Sequence, residues 1–202
     1  IAVTVTGVLA GEQNAVSGNV ASVEGGVGGT ASASLIVVAP PTISKVFAAT
    51  TIAPGGTTTL SFTLRNPAPN TLPITGLAFD DAFPAGMLVA TPNGLVGSCG
   101  GGTITATAGS GAVSLSGATL AAGATCTFTV NVVITGNGAV TNTTGPATSS
   151  EGGSGGSASA SITVSTAAAD VVVPTLTVAG LALFGLLLAL LGLAAIRGRL
   201  LG

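Results

Sequence analysis

The segment Glu24-Gly25-Gly26-Val27-Gly28-Gly29-Thr30-Ala31-Ser32-Ala33-Ser34 returns, little changed, as Glu151-Gly152-Gly153-Ser154-Gly155-Gly156-Ser157-Ala158-Ser159-Ala160-Ser161, an offset of 151 − 24 = 127. Upstream, Val3-Thr4-Val5 aligns with Phe128-Thr129-Val130 and Gly11 with Gly136, at an offset of 125 that one small loop insertion reconciles with the first. A period of this size is a whole domain, so the sequence reads as a tandem array and not as a solenoid of short repeats. Residues 1–38 are then the closing strands of a preceding copy, and residues 42–164 a complete one. Ala39-Pro40-Pro41, at 39–41, forms a short stiff joint between them. Because two or three strands cannot bury a core alone, residues 1–38 are expected to complete a sheet begun further upstream or supplied by a neighbour.

Within the complete copy, apolar residues alternate with polar ones. Leu60, Phe62 and Leu64 share a face that Thr59, Ser61 and Thr63 oppose, and Cys126, Phe128, Val130, Val132 and Ile134 repeat the pattern. Leu77 and Phe79 mark a third such face. Turn residues punctuate the runs at Pro54-Gly55-Gly56, Asn66-Pro67, Pro84-Ala85-Gly86, Pro92-Asn93-Gly94 and Gly136-Asn137-Gly138. The class that follows is all-β, a β-sandwich of about seven strands.

The chain closes on a different kind of segment. Residues 165–177 form a short tether, and the uncharged run Val178 to Ile196 follows. As a helix this run would reach about 28 Å, close to the apolar thickness of a bilayer, so a single transmembrane helix over 178–196 is expected. Arg197 and Arg199 follow directly, whereas Asp170 is the nearest charge before it, which places the tail 197–202 in the cytoplasm and the preceding residues outside. Within the run, Ala179, Ala182, Gly185, Ala189, Gly192 and Ala195 recur at spacings of three and four and form a smooth stripe suited to packing on another membrane helix. An exported domain needs a signal peptide and none opens the chain at Ile1, so a processed or partial chain is expected.

Composition narrows the functions open to the domain. Only 5% of residues are charged, so Thr, Ser, Gly and Asn must cover the surface, which suits an extracytoplasmic β-protein packed against partners. Four Lys+Arg, six Phe and no Trp or Tyr leave neither phosphate-neutralising nor base-stacking side chains, which excludes nucleic-acid binding. With no His and no triad of nucleophile, base and orienter, an enzyme is not expected, nor is a cofactor or small-molecule substrate.

Cys99 and Cys126 are the only cysteines, and outside the cytoplasm an even pair is most simply a disulfide. The core phase of Cys126 and the Gly-rich run from Gly97 to Gly102 around Cys99 allow the two to meet. Asp80 and Asp81 form the one pair of adjacent carboxylates. They are weak candidates for a Ca²⁺ site, since that ion asks for six to eight oxygens and no further acidic cluster accompanies them; turn capping is the plainer role. Glu24 and Glu151 open their Gly-Gly loops, and the glycine runs lack the Lys-Ser/Thr ending of a phosphate cradle. Asn142-Thr143-Thr144 has the form of a glycosylation sequon.

The run Thr42-Ile43-Ser44-Lys45-Val46-Phe47, with Ile52-Ala53-Pro54-Gly55-Gly56-Thr57, Asn66-Pro67, Leu77-Ala78-Phe79-Asp80-Asp81, Phe83-Pro84-Ala85-Gly86-Met87 and Ser98-Cys99-Gly100-Gly101, resembles the repeated Ig-like domains of unknown function in bacterial surface proteins. Val173-Pro174-Thr175-Leu176 ahead of a span and Arg resembles the IPTL/PEP-type C-terminal sorting signals of Gram-negative envelope proteins. Thr177-Val178-Ala179 stands where that signal usually has Ser-Glu-Trp, so the anchor is expected to be retained. The resemblance implies an Ig-like sandwich at the cell surface with an architectural role and no known ligand. The span itself places the chain in the cytoplasmic membrane of a bacterium with membrane lipid as a partner, and protein partners are expected through the helix stripe and the sandwich. The alternative is an accessory subunit of a larger photosynthetic, respiratory or transport complex, its helix docked in the membrane and its sandwich covering the periplasmic face.

Overall fold

The computed structural model describes residues 2–166. The later part of the tether, the expected membrane helix and the cytoplasmic tail lie outside the described residues. Every regular element described is a strand. Among these residues no helix is long and apolar enough to cross a membrane.

The first strands are β1 (Gly11–Val16), β2 (Ala21–Ser22), β3 (Gly26–Val27) and β4 (Ser32–Val37). β1 pairs with β4 and β2 with β3, both antiparallel. The next nine are β5 (Thr42–Phe47), β6 (Thr51–Ile52), β7 (Gly56–Arg65), β8 (Ile74–Ala82), β9 (Met87–Val89), β10 (Val96–Ser98), β11 (Thr103–Thr105), β12 (Ala112–Leu120) and β13 (Thr125–Ile134). The chain then ends its regular structure with β14 (Gly138–Thr143), β15 (Thr148–Ser149), β16 (Gly153–Ser154) and β17 (Ser159–Val164). Seven strands between residues 42 and 164 are six residues or longer, in line with the count drawn from alternation. Six further strands of two or three residues carry too few side chains to show a period.

These strands build two facing sheets and a flank. One sheet runs β10-β13-β7-β5, with β9 also on β13, and the other β11-β12-β8-β15-β16. The flank is β14-β17-β6, in which β17 and β6 are parallel. The long strands have the expected phase: Leu60, Phe62, Leu64, Leu77, Phe79, Phe128, Val130, Val132 and Ile134 are all buried. Phe62 and Phe128 stack at 5.1 Å on one sheet, and Phe79 of the other meets Phe62 at 5.3 Å, so the aromatic cluster joins the two layers. Each such side chain contributes roughly 1.5–3 kcal/mol through burial, which makes this interface the main source of stability.

The outward faces show how the chain manages with few charges. Thr63 and Thr127 meet through their hydroxyls at 3.1 Å, Thr141 and Ser161 at 2.8 Å, and Thr143 and Ser159 at 3.0 Å. Cross-strand hydroxyl pairs of this kind replace the ion pairs of more charged sheets. Beneath them Asn66 is buried and donates from Nδ2 to the carbonyls of Leu72, Leu120 and Ala121, closing the end of the sandwich.

The pairing of β1–β4 matches that of β14–β17. Gly11 pairs with Val37 and Val16 with Ser32, as Gly138 pairs with Val164 and Thr143 with Ser159. Ala21 faces Val27 as Thr148 faces Ser154. Even the local side-chain bonds recur: Ser17 Oγ accepts from the Ala31 amide as Thr144 Oγ1 accepts from Ala158, and Ser22 Oγ accepts from Gly25 as Ser149 Oγ accepts from Gly152. The register aligns Gly11 with Gly138, so the offset of 127 already holds there; the alignment of Gly11 with Gly136 is corrected. Val3-Thr4-Val5, aligned with part of β13, form no strand, because β13 is held by β7 and these residues have no counterpart of β7 to pair with among the described residues.

What differs between the two hairpins is what covers them. Ile162 is 2% exposed and Ala147 0%, whereas their counterparts Leu35 and Val20 are 46% and 70% exposed. β17 pairs with β6 and lies against β5, and β15 pairs with β8. β4 and β2 have no such strands beside them among the described residues.

Candidate functional site

Three polar residues occupy core-facing positions on three different strands. On β5, Ile43, Lys45 and Phe47 share a phase; on β8, Leu77, Phe79 and Asp81 do; on β14, Val140 and Asn142 do, with Thr144 next in line. Side chains two apart in a strand point the same way, so each polar residue is carried inward by its apolar neighbours. The result is a buried group at the margin where both sheets and the flank meet.

Lys45 and Asp81 side chains are fully buried, and Lys45 Nζ donates to Asp81 Oδ1 at 3.1 Å and Oδ2 at 3.2 Å. Asn142 Nδ2 donates to the same Oδ2 at 2.9 Å. Lys45 Nζ also lies 6.0 Å from the centre of the Phe62 ring. Burial pushes the Lys45 amine below its ordinary value and the Asp81 carboxyl above its own; each partner's charge opposes the shift without outweighing it. Both shifts run toward the neutral forms of the two groups. Asn142 Oδ1 is buried and has no hydrogen-bond partner. A carboxamide oxygen left unpaired in the interior costs about 1–3 kcal/mol.

This geometry revises the expectation for the adjacent carboxylates. Asp80 and Asp81 are neighbours in one strand and point to opposite faces, Asp80 to solvent and Asp81 to Lys45, so they cannot converge on one ion. Among the described residues no cluster of three or more His, Cys, Asp or Glu could hold a metal. The sequon at Asn142 is closed in the folded domain, because its acceptor nitrogen is buried and bonded to Asp81.

Cys99 and Cys126 form a disulfide with a Cα–Cα distance of 5.0 Å. Ser98 of β10 is opposite Thr127 of β13, and the two cysteines are the next pair along. The glycine run serves this contact. Gly100, at φ +50°, lies so close to the Thr119 carbonyl that a Cβ there would collide with it, and its own carbonyl accepts from the Thr119 amide at 3.0 Å. The turn is therefore pinned to β12.

Glu151 also has a definite task. Its carboxylate accepts from the Thr75 amide and hydroxyl, both at 2.6 Å, and these bonds hold its pKa below the usual glutamate range. The small-residue stripe from Ala179 to Ala195, the motif Val173 to Leu176, and Arg197 and Arg199 lie outside the described residues. Sequence reasoning does not single out Lys45 or the carboxamide of Asn142 as functional groups, although their place in the strand period carries the signal.

A family model described as a domain of unknown function (DUF7933) matches residues 41–164. No curated protein matches the chain. Among solved structures, the chain is similar to BslA, a bacterial hydrophobin, at 17% identity and a TM-score of 0.41 over 65% of this chain and 98% of that one. A non-cellulosomal cohesin from Archaeoglobus fulgidus shows 10% identity and 0.42 over 61% and 91%. BcpA, the major pilin subunit of Bacillus cereus, shows 12% and 0.43 over 61% of this chain and 39% of the pilin. The sandwich described above rests on its strand pairings and not on these likenesses.

Proposed function

The chain belongs to the DUF7933 family, and from that premise we propose that it is a non-enzymatic structural and protein-interaction module of the bacterial cell envelope, working outside the cytoplasm. The observation that carries the reading is the Cys99–Cys126 disulfide. Its sulfurs lie inside the sandwich, and such bonds form and persist in oxidising compartments. Outward faces that carry cross-strand hydroxyl pairs agree with a module that meets other proteins through shape and hydrogen bonds.

In this reading the domains are strung in tandem. Residues 2–38 are the last four strands of a preceding sandwich, and they cover its β5, β6 and β8 equivalents as β14–β17 cover those of the complete copy. The matching registers and the opposite exposures of Leu35 and Ile162 support this role. The run Val178 to Ile196 then holds the array at the membrane, with Arg197 and Arg199 on the cytoplasmic side.

Protease protection tests the placement. In spheroplasts of cells making the full chain, added protease should remove the sandwich and leave a short membrane-embedded fragment. A sandwich degraded only after the membrane is lysed would overturn the reading.

A further inference from the structure

We propose that Lys45 and Asn142 are joined by an intramolecular isopeptide bond, a Nζ–Cγ amide formed with loss of ammonia and promoted by Asp81. The side chains meet at one atom: Lys45 Nζ and Asn142 Nδ2 both donate to Asp81 Oδ2, at 3.2 and 2.9 Å. The amine, the carboxyl and the carboxamide are all buried, and Phe62 lies beside the amine, so water is not at hand to compete as a nucleophile. The unpartnered Asn142 Oδ1 is the independent sign. An ordinary structural asparagine satisfies its oxygen; here that oxygen belongs to the carbonyl that would be attacked.

The steps balance without an added reagent. Burial favours the free amine of Lys45 and the acid form of Asp81. With the carboxamide turned end for end, the Asp81 O–H donates to its oxygen and makes Cγ more electrophilic. The Nζ lone pair adds to Cγ, Asp81 relays a proton from the new ammonium to the departing nitrogen, and the Cγ–Nδ2 bond breaks to release ammonia. Asp81 ends as it began, and no atom changes oxidation state. Holding amine and carboxamide against one carboxyl supplies the proximity that this otherwise slow aminolysis needs.

Position gives the bond its use. Lys45 is on the first strand of the complete domain and Asn142 on its closing hairpin. A pull between the 39–41 joint and residues beyond Val164 would pass through this amide, leaving the strands between unstretched. The first hairpin has Ala15 at the position equivalent to Asn142, so its own strands supply no acceptor and the bond belongs to residues 42–164.

Intact mass spectrometry of the purified full chain is the test. The expected mass is one ammonia below that of the disulfide-bonded sequence, and a peptide map should show Lys45 and Asn142 in one branched peptide with no tryptic cleavage after Lys45. Lys45→Ala and Asn142→Ala should each abolish the loss. Asp81→Asn should keep the disulfide and lack the bond. Should the variants fail to fold, the wild-type map decides alone. Folded, disulfide-bonded wild type at full mass would overturn the proposal, as would a loss of ammonia confined to a linear Asn142 peptide. A cross-linked Asp81→Asn would overturn the role given to Asp81.

Discussion

Asn70 grips Ala39 by both of its backbone groups: Oδ1 accepts from the Ala39 amide at 2.7 Å, and Nδ2 donates to the Ala39 carbonyl at 2.9 Å. The same Nδ2 also donates to Asn66 Oδ1 at 2.7 Å, so Ala39 is tied to the buried end of the sandwich. Asn70→Ala leaves these groups unpaired. It should lower stability by about 2–3 kcal/mol in denaturant titration and make residues 39–41 the first site of limited proteolysis.

The twin hairpins should respond differently to the same change. Ile162→Ala opens the packed margin of the complete domain and should cost about 2–5 kcal/mol. Leu35→Ala, on the uncovered hairpin, should stay within roughly 0.5 kcal/mol in this chain. Amide exchange checks the cause: β17 should be strongly protected and β4 weakly, and fusing a further family domain upstream of the chain should raise β4 toward β17.

Removing the disulfide as a pair, with Cys99→Ala and Cys126→Ala together, should lower stability by about 3.5 kcal/mol, the chain-entropy value for a separation of 27 residues. Both positions are buried and alanine leaves a small void, so a loss above that figure measures packing. Equilibrium unfolding of the double variant beside the oxidised parent separates the two.

Glu151 sets an acid limit on one loop. Its folded pKa is depressed by the Thr75 hydroxyl and amide, so its contribution is complete above the ordinary glutamate value and is lost as pH falls through that value toward the folded one. Glu151→Gln should remove that part of the acid dependence, and Thr75→Ala should remove part of it. Proton titration of the Glu151 carboxyl by NMR reads the shift directly.

Much of this architecture was legible because the strands obey a period of two. Leu60 to Leu64 and Cys126 to Ile134 show their buried faces without ambiguity, and the pairing of Cys99 with Cys126 follows from the count of cysteines. Lys45 shares that period with Ile43 and Phe47, and Asn142 shares it with Val140, yet a polar side chain at an inward position is identified only when a partner from a distant strand is known. Asp81 is 36 residues from Lys45 and 61 from Asn142. The adjacency of Asp80 and Asp81 suggested a shared ligand site for the opposite reason: proximity along a strand separates side chains onto two faces. Short strands such as β15 and β16 owe their existence to partners such as β8, which no local pattern reveals.

The central claim is that this domain folds and works outside the cytoplasm, and the state of its two thiols in the producing cell tests it most directly. Cells are quenched in acid, the protein is denatured with an alkylating reagent, and Cys99 and Cys126 are scored with and without prior reduction. The account predicts that neither cysteine is modified unless reduced first. Both cysteines alkylated without reduction, in protein that has reached its mature, folded form, would contradict it.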